Sequence, residues 1–260
     1  MILELDIGNS RIKWRQISVP DASLIASGNV TDFAELLTQS ELSQIPHMVR
    51  VCSVRAGEIN SQLETWVRES FDLNIQTAVV SSICGGVSNQ YADPSRLGID
   101  RWLAMLAGFR KAGGACVVID GGTALTIDVI STAGQHQGGY IVPGLALMQS
   151  ALESNTRISL SQNPLPALES LGNSTDEAVL NGTLVAVLAL IERVSLELTS
   201  SQGSQIRVFF TGGDAGLLHA LSKIDSGEVI DSLVFDGLAI ACPYDNAVCE
   251  QSVSQTDTLE

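Results

Sequence analysis

The chain has few aromatic residues and few basic ones. Phenylalanine, tryptophan and tyrosine together make up 5% of its 260 residues, so leucine, valine, isoleucine and alanine must fill the interior. Only 14 lysines and arginines stand against 29 aspartates and glutamates, which gives a formal net charge of −15. Because neutralising a phosphate backbone requires many basic side chains, this balance disfavours nucleic acid as a partner.

Two further features are missing. The five cysteines are scattered without any C-x-x-C spacing, which predicts reduced thiols rather than metal ligands or disulfides. No apolar stretch comes near the ~20 residues that span a membrane. Met1 leads directly into a strand rather than into a signal peptide. We therefore expect a cytoplasmic protein that has neither a membrane nor a nucleic acid as a partner.

What the sequence does contain is one motif twice. Asp6-Ile7-Gly8-Asn9-Ser10 follows the apolar run Ile2–Leu5, and Asp120-Gly121-Gly122-Thr123 follows Cys116–Ile119. Each copy ends a strand in aspartate, adds glycine and a short polar side chain, and precedes another extended segment. Aspartate beside glycine is ordinary turn chemistry, but two copies at strand ends favour function. We interpret them as phosphate-binding hairpins, in which glycine N–H groups cradle oxygens and carboxylates organise cations.

The order of strands and helices predicts two related α/β domains. After the first hairpin we predict a helix near residues 32–39, strands over residues 48–54 and 75–80 with a helix over residues 58–70 between them, and a loop over residues 81–94. A helix over residues 99–111 follows, which Gly113-Gly114 ends. The second hairpin restarts the pattern, and a capping-box sequence from Ser174 to Glu177 opens a long helix. We predict domains at residues 1–113 and 114–242, followed by a polar tail at residues 243–260.

A second candidate site is the start of the helix after Gly98. Asp100 in the first turn is favourable to the helix dipole by ~0.3–1 kcal/mol, but this does not explain Arg101 beside it. A cation next to the exposed N–H groups of a helix N-terminus indicates that an anion docks there. Thr175 has a simpler explanation as a helix cap, and a ligand role for it stays open. The three histidines show no metal spacing, and we assign no role to His47, His136 or His219.

Five motifs, in this order, resemble those of the type III pantothenate kinases. They are Asp6-x-Gly-Asn-Ser, Tyr91 with Gly98-x-Asp100-Arg101, Asp120-x-Gly-Thr-Ala-x-Thr126, Gly138-Gly-x-Ile-x-Pro-Gly144 and Thr211-Gly-Gly, and they cover about residues 1–240. The resemblance implies an α/β fold of duplicated ribonuclease H-like (actin-like ATPase) domains with a central cleft. It implies ATP-dependent phosphorylation of pantothenate to 4'-phosphopantothenate, the first step of coenzyme A biosynthesis.

The resemblance also implies roles for single residues. Asp100 would be the proton acceptor, Asp120 would hold the monovalent cation (K⁺ or NH₄⁺) that the family requires beside Mg²⁺, and Asp6 is a candidate for Mg²⁺. ATP would be bound by Asp6, Gly8, Asn9, Ser10, Lys13, Gly122 and Thr123. Pantothenate would be bound by Tyr91, Gly98, Ile99, Asp100, Arg101 and Thr175. The family is homodimeric, so Thr175 would serve the neighbouring subunit's site.

Two alternatives stay open from the sequence. A non-catalytic paralogue acting as a transcription accessory factor would keep the fold. The intact Asp6, Asp100 and Asp120 argue against lost catalysis, and the absence of a basic patch argues against direct DNA contact. A kinase for another small hydroxylated metabolite rests on fold analogy alone.

Overall fold

The computed structural model describes residues 1–19, 21–55, 57–161, 169–202 and 206–244, so the predicted tail lies almost wholly outside the described residues. Within them the strands are β1 (Ile2–Ile7), β2 (Ile12–Ile17), β3 (Leu24–Val30), β4 (Met48–Ser53), β5 (Ile75–Thr77), β6 (Ile83–Cys84), β7 (Val87–Ser88), β8 (Cys116–Gly121), β9 (Ala124–Ile130), β10 (His136–Pro143), β11 (Arg207–Thr211) and β12 (Gly227–Val229). The helices are α1 (Phe33–Leu36), α2 (Glu58–Phe71), α3 (Ile99–Ala112), α4 (Leu145–Asn155), α5 (Thr175–Gln202), α6 (Ala215–Leu221) and α7 (Leu233–Ala241).

The first five-stranded sheet has the order β3-β2-β1-β4-β5. β1, β2 and β3 form an antiparallel meander, and β4 and β5 continue the sheet parallel to β1. Parallel neighbours need a crossover connection, and α2 provides it between β4 and β5. The apolar side chains of α2, among them Leu63 and Val67, pack against Leu3 and Leu5 of the central strand.

The second five-stranded sheet, β10-β9-β8-β11-β12, repeats the order and the strand directions of the first. This confirms the predicted duplicated α/β fold. Asp6 and Asp120 occupy the same place in the two copies, since each is the fifth residue of a six-residue central strand. The twin hairpins predicted from the sequence are therefore equivalent structural elements.

The chain divides into two compact units, each containing one sheet. The first comprises Met1–Gly85, Asp93–Ala104 and the residues from Val234 onward, and the second comprises Gly86–Ala92 and Met105–Leu233. Helix α3 thus begins in the first unit and ends in the second. The boundary predicted at residues 113 and 114 and the predicted cleft stay predictions.

A buried ionic network attaches α7 to the first sheet. The Glu4 carboxylate is 0% exposed and accepts hydrogen bonds from Arg15 and, at 2.6 Å, from Arg50. Arg15 also contacts Asp236 of α7 at 3.2 Å, and Arg50 donates to the backbone carbonyl of Cys242 at 2.8 Å. Because buried charges are costly unless they are paired, this network explains why the last helix belongs with the first strands.

Several local predictions need correction. Strands β3 and β12 were missed, because β3 is a mostly exposed edge strand that contains Gly28 and Asn29, two residue types depleted in strands, and β12 has only three residues. The helix predicted near residues 32–39 is the single turn α1, and the strand predicted to residue 80 ends at Thr77. The predicted loop over residues 81–94 contains the short hairpin β6–β7. In each case tertiary pairing, not local pattern, decides the outcome.

The expectation that no apolar stretch reaches membrane-spanning length is wrong for α5. Its segment Thr175–Leu196 is long and apolar enough by length and composition to cross a bilayer. Half of that segment is buried inside the protein, where Leu184, Leu188 and Ile191 pack into the core of the second sheet. Core packing therefore accounts for the apolar composition of α5.

Candidate active site

A backbone hydrogen bond and an arginine contact fix the turn between β1 and β2. The Gly8 N–H donates to the Arg11 carbonyl at 3.0 Å, and a Cβ on Gly8 would lie 3.2 Å from that oxygen, so the turn favours glycine. Arg55, just after β4, donates to the carbonyl of Asn9. Sequence reasoning missed Arg55. This residue follows β4, which is parallel to β1, so the carboxyl ends of the two strands lie side by side. The Asn9 side chain is exposed and accessible to a ligand.

Asp6 lies where three elements of the first unit converge. In the sheet it is paired with Lys13 on β2 and with Cys52 on β4. Burial raises the pKa of Asp6 to about 6. The Lys13 charge opposes this shift, Asp100 adds to it, and a hydrogen bond from Cys52 opposes it. The fold thus brings together Asp6, Lys13 and Asp100, which the sequence proposed for one site.

An ionised Asp6 carboxylate is disfavoured until a cation compensates it. Mg²⁺ is usually bound by one or two carboxylates together with substrate phosphates and waters. Among the described residues no group of three or more His, Cys, Asp or Glu side chains could hold a metal ion. Asp6 could serve as one carboxylate ligand of a Mg²⁺ ion that phosphate oxygens and waters also hold.

We expect Asp6→Asn to stabilise the ligand-free protein near neutral pH. The folded-state pKa of about 6 exceeds the ordinary 3.8, so the folded state holds the proton more tightly than the unfolded state. At low pH both states are protonated. Between pH 3.8 and about 6 the unfolded state ionises first, so the folded state loses about 3 kcal/mol of stability and keeps that loss at higher pH, and the amide avoids this. Urea unfolding of both proteins between about pH 4 and pH 8 should show a widening gap; a constant gap would contradict the prediction.

The start of α3 fixes the carboxylate of Asp100. Its Oδ1 accepts a hydrogen bond from the backbone N–H of Arg101 at 2.8 Å. A Cβ on Gly98 would lie 2.7 Å from the same oxygen, so a side chain there would displace the carboxylate. Asp100 is half-buried, and Arg101 is 6% exposed. Glycine, carboxylate and buried guanidinium thus form one local arrangement at a helix N-terminus.

The turn between β8 and β9 is packed against the Pro143-Gly144 motif. Gly122 donates its N–H to the carbonyl of Ala124 at 3.1 Å, and the Thr123 carbonyl accepts the N–H of Gly144 at 2.9 Å. A Cβ on Gly144 would lie 2.1 Å from the Gly122 carbonyl oxygen. Two of the sequence motifs therefore form a single structure, and Gly144 is required by close approach.

Asp120 lies among oxygen atoms at the end of the second sheet. It is half-buried and pairs with Thr211 on β11. Gly212 has φ +89°, and a Cβ there would lie 2.3 Å from Asp120 Oδ1. The N–H of Asp214 donates to the Gly121 carbonyl at 2.9 Å. A carboxylate beside backbone carbonyls is a donor set that hard cations bind.

Asp214 is a second carboxylate at this end of the sheet, and sequence reasoning did not include it in the site. It occupies the N-cap position of α6, but its side chain makes no capping hydrogen bond. Burial raises the pKa of Asp214. The signal available in the sequence was its position directly after the Thr211-Gly212-Gly213 motif at the end of a strand.

Tyr91 and Thr175 lie on separate elements of the second unit. The ring of Tyr91 stacks on His136, with centroids 5.8 Å apart and an interplanar angle of 15°. Thr175 is the exposed first residue of α5. The cap is Ser174, whose hydroxyl accepts the N–H of Glu177 at 3.2 Å. Explaining Thr175 as the cap is therefore wrong, and its side chain is available for another role.

A cavity of about 330 Å³ lies elsewhere in the second unit. It is lined by α5, by β11 and by the segment after α6, including Glu192, Leu196, Val208 and Lys223. None of the described residues that line it is a predicted site residue. The predicted site residues lie instead at the hairpin and the start of α3 in the first unit and, separately, at the hairpin, Tyr91 and Thr175 in the second unit.

Comparison with known proteins finds relatives over most of the chain. The sequence model of the family described as type III pantothenate kinase matches residues 2–197. A type III pantothenate kinase of Pseudomonas fluorescens (strain SBW25) is 42% identical over 252 residues, covering 94% of this chain and 99% of the relative. One of Azotobacter vinelandii is 37% identical, again covering 94% of this chain and 99% of the relative.

Two solved structures share the fold at low sequence identity. One from Campylobacter jejuni, described as belonging to the Baf family of transcriptional activators, is 21% identical with a TM-score of 0.58, covering 97% of this chain and 99% of that one. One from Sinorhizobium meliloti, described as a 2-dehydro-3-deoxygalactonokinase, is 14% identical with a TM-score of 0.54, covering 94% and 100%. The two structural likenesses show only that the fold is shared. The family model and the sequence relatives show more: the chain belongs to the type III pantothenate kinase family.

Proposed function

We propose that this chain transfers the terminal phosphate of ATP to the primary hydroxyl of pantothenate and so forms 4'-phosphopantothenate at the first step of coenzyme A biosynthesis. Membership of the kinase family supports this activity. The structural observation that carries it is the electrostatic coupling of Asp100, at the start of α3, with Asp6, at the glycine hairpin. The residue proposed as base for the acceptor hydroxyl and the hairpin proposed to bind phosphate then lie in the same unit.

In the proposed reaction the chain acts mainly by positioning and charge. Phosphoryl transfer passes through a loose transition state, so little covalent chemistry falls to the protein. Asp100 orients the acceptor hydroxyl and takes its proton, while the Arg101 N–H holds one carboxylate oxygen in place. The remaining proposed contacts to pantothenate come from Tyr91, Gly98, Ile99, Arg101 and Thr175.

ATP is bound, in this proposal, by the two hairpins. The N–H groups and short side chains of Gly8, Asn9 and Ser10 meet phosphate oxygens, as do Gly122 and Thr123. Lys13, the cross-strand partner of Asp6, supplies a cation close to that carboxylate. Arg55 adds a second positive charge through its contact with the Asn9 carbonyl.

Two bound cations would offset the repulsion between ATP, an anionic acceptor and an acidic protein. We assign Mg²⁺ to Asp6, because its buried carboxylate has a raised pKa that a cation would lower. We assign K⁺ or NH₄⁺ to Asp120, because backbone carbonyls accompany its carboxylate. When bound, these ions supply charge neutralisation and hold the phosphates.

The active form in this proposal is a cytoplasmic homodimer built through the second unit. β10 is an edge strand, and α4 has no buried residue among those the structure describes. Large apolar side chains are exposed on β10 and the following helices, namely Tyr140, Ile141, Leu147, Val185 and Leu196. Such a surface favours a protein partner, and a second copy of the chain satisfies it. Thr175 then serves the neighbouring copy's acceptor site.

A substrate screen tests the proposed function. Purified protein is incubated with MgATP, potassium and a panel of small hydroxylated metabolites, and ADP release is recorded. We expect turnover with pantothenate and a phosphorylated product of the corresponding mass, with turnover reduced when sodium replaces potassium. Turnover with another alcohol but not pantothenate would redirect the assignment, and inactivity with every substrate would favour a non-catalytic paralogue.

A further inference from the structure

A buried pair of side chains lies beneath Tyr91 that the proposed mechanism does not use. His136 is 0% exposed and Asp128 is 1% exposed, and His136 Nε2 lies 3.0 Å from Asp128 Oδ1. The His136 ring stacks almost parallel on the Tyr91 ring. All three residues belong to the second unit. Burying an imidazole and a carboxylate is costly, so their pairing here needs an explanation beyond packing.

The hydrogen bond to Asp128 orients the His136 ring. Its Nδ1 is buried and has no hydrogen-bond partner among the described residues. The contact of Nε2 with Asp128 Oδ1 at 3.0 Å requires a proton on Nε2, which His136 donates to the carboxylate. This hydrogen bond fixes the tilt of the ring.

The backbone around His136 is also shaped for this contact. The pairing of β9 and β10 shifts register between His136 and Gly138, and Gly138 has φ +110°. A bulge of this kind re-aims a neighbouring side chain and bends the strand. The His136 ring thus reaches Asp128, two residues along β9 from its own pairing partner Ile130.

The loop that carries Tyr91 is docked on the same region. The Ser88 N–H donates to the Gly134 carbonyl at 2.8 Å, and a Cβ on Gly134 would lie 2.0 Å from the Gly86 carbonyl oxygen. The Tyr91 N–H donates to Asn89 Oδ1 at 2.9 Å. Backbone contacts therefore fix the base of the loop, while the orientation of the Tyr91 ring is set against His136.

We infer that the ring of His136, held by Asp128, is a platform that positions Tyr91 for the hydroxylated acceptor. This inference rests on the proposed function, in which Tyr91 contacts pantothenate. His136 and Asp128 are positioning residues, because they act through Tyr91. Stacked rings are worth a few-fold to about tenfold in an equilibrium, so losing the platform should weaken acceptor binding by that factor and leave ATP binding unchanged.

Two double variants that differ only at position 136 test this. Asp128→Leu with His136→Phe keeps a ring beneath Tyr91, and Asp128→Leu with His136→Leu removes it. Both variants remove the imidazole and the carboxylate together, and apolar replacement of a buried pair is often neutral for stability. We expect KM for pantothenate to rise about fivefold to tenfold in the leucine variant and to stay near the wild-type value in the phenylalanine variant.

The controls separate this inference from the proposed function. A wild-type protein inactive on pantothenate overturns the function, whereas an active wild type with equal pantothenate KM in the two double variants overturns the platform alone. A parallel rise in KM for ATP also overturns it. His219→Leu, which removes another ring contact of the second unit, with Phe210 at 5.4 Å, should change neither KM.

A spectroscopic measurement on the unaltered protein keeps the test decisive if the double variants do not fold. In protein labelled with ¹⁵N-histidine, His136 Nε2 should carry the proton that it donates to Asp128. Pantothenate should shift the His136 ring signals and leave those of His47 and His219 in place. His136 signals that do not respond to pantothenate would overturn the proposal.

Discussion

Replacing Asp100 with asparagine is expected to lower kcat for pantothenate phosphorylation by about a thousandfold, within the range that general bases contribute. The amide keeps the size of the side chain and can still accept the Arg101 N–H at Oδ1. It cannot take a proton from the acceptor hydroxyl. Initial-rate measurements at saturating ATP and pantothenate report this change. KM for ATP should move little, because the lost interaction belongs to the acceptor.

A matched variant guards against a general effect of losing a carboxylate. Asp32 in the same unit accepts the Glu35 N–H at 2.9 Å as the cap of α1, and asparagine caps a helix equally well. Asp32→Asn should therefore retain full activity and stability. Wild-type turnover in Asp100→Asn would remove Asp100 from its role as base and leave only its helix-dipole contribution.

Glu4→Gln is expected to reduce the free energy of unfolding by about 3 kcal/mol, as breaking a buried ion pair does. The single oxygen of the glutamine amide can accept from only one of Arg15 and Arg50, its NH₂ group faces the other, and both positive charges lose the buried carboxylate between them. Urea denaturation followed by circular dichroism measures the loss. Because the network includes α7 through Asp236, the transition should also become less cooperative if α7 detaches first.

An exposed pair of the same chemistry provides the comparison. Arg207 and Glu228 form an ion pair with side chains 44% and 50% exposed, and Glu228→Gln should cost less than about 1 kcal/mol. Equal effects of Glu4→Gln and Glu228→Gln would show that the buried network does not hold α7. If Glu4→Gln does not fold, the milder Asp236→Asn, at the 25% exposed end of the network, should still lower stability more than Glu228→Gln.

Motif-bearing segments could be predicted from the sequence because their chemistry is local. The two hairpins follow from strand, aspartate and glycine in direct succession, and both are present. The start of α3 at Ile99 and the helix cap at Ser174 are likewise determined by adjacent residues. The duplication was inferred from the repeated motif, and the equal order of the two sheets confirms it.

Features that depend on distant partners were missed. The network of Glu4, Arg15 and Asp236 joins the two ends of the chain, and no window of sequence contains it. The stacking of His136 on Tyr91 depends on a strand bulge and on a loop that docks from elsewhere in the chain. Arg55 reaches the first hairpin only because β4 lies beside β1. Local patterns cannot encode such contacts, since the tertiary fold creates them.

Because the sheet is repeated, equivalent positions of the two halves can be compared within one molecule. Cys52 and Thr211 occupy the same rung in the two copies, each across a parallel ladder from the central-strand aspartate, and they are 0% and 2% exposed. The exchanges Cys52→Thr and Thr211→Cys place each side chain in the surroundings of its counterpart. If both halves accept the exchange without loss of stability or activity, the position serves only the shared scaffold. If only one half accepts it, the two positions have become specialised, for the nucleotide or for its acceptor.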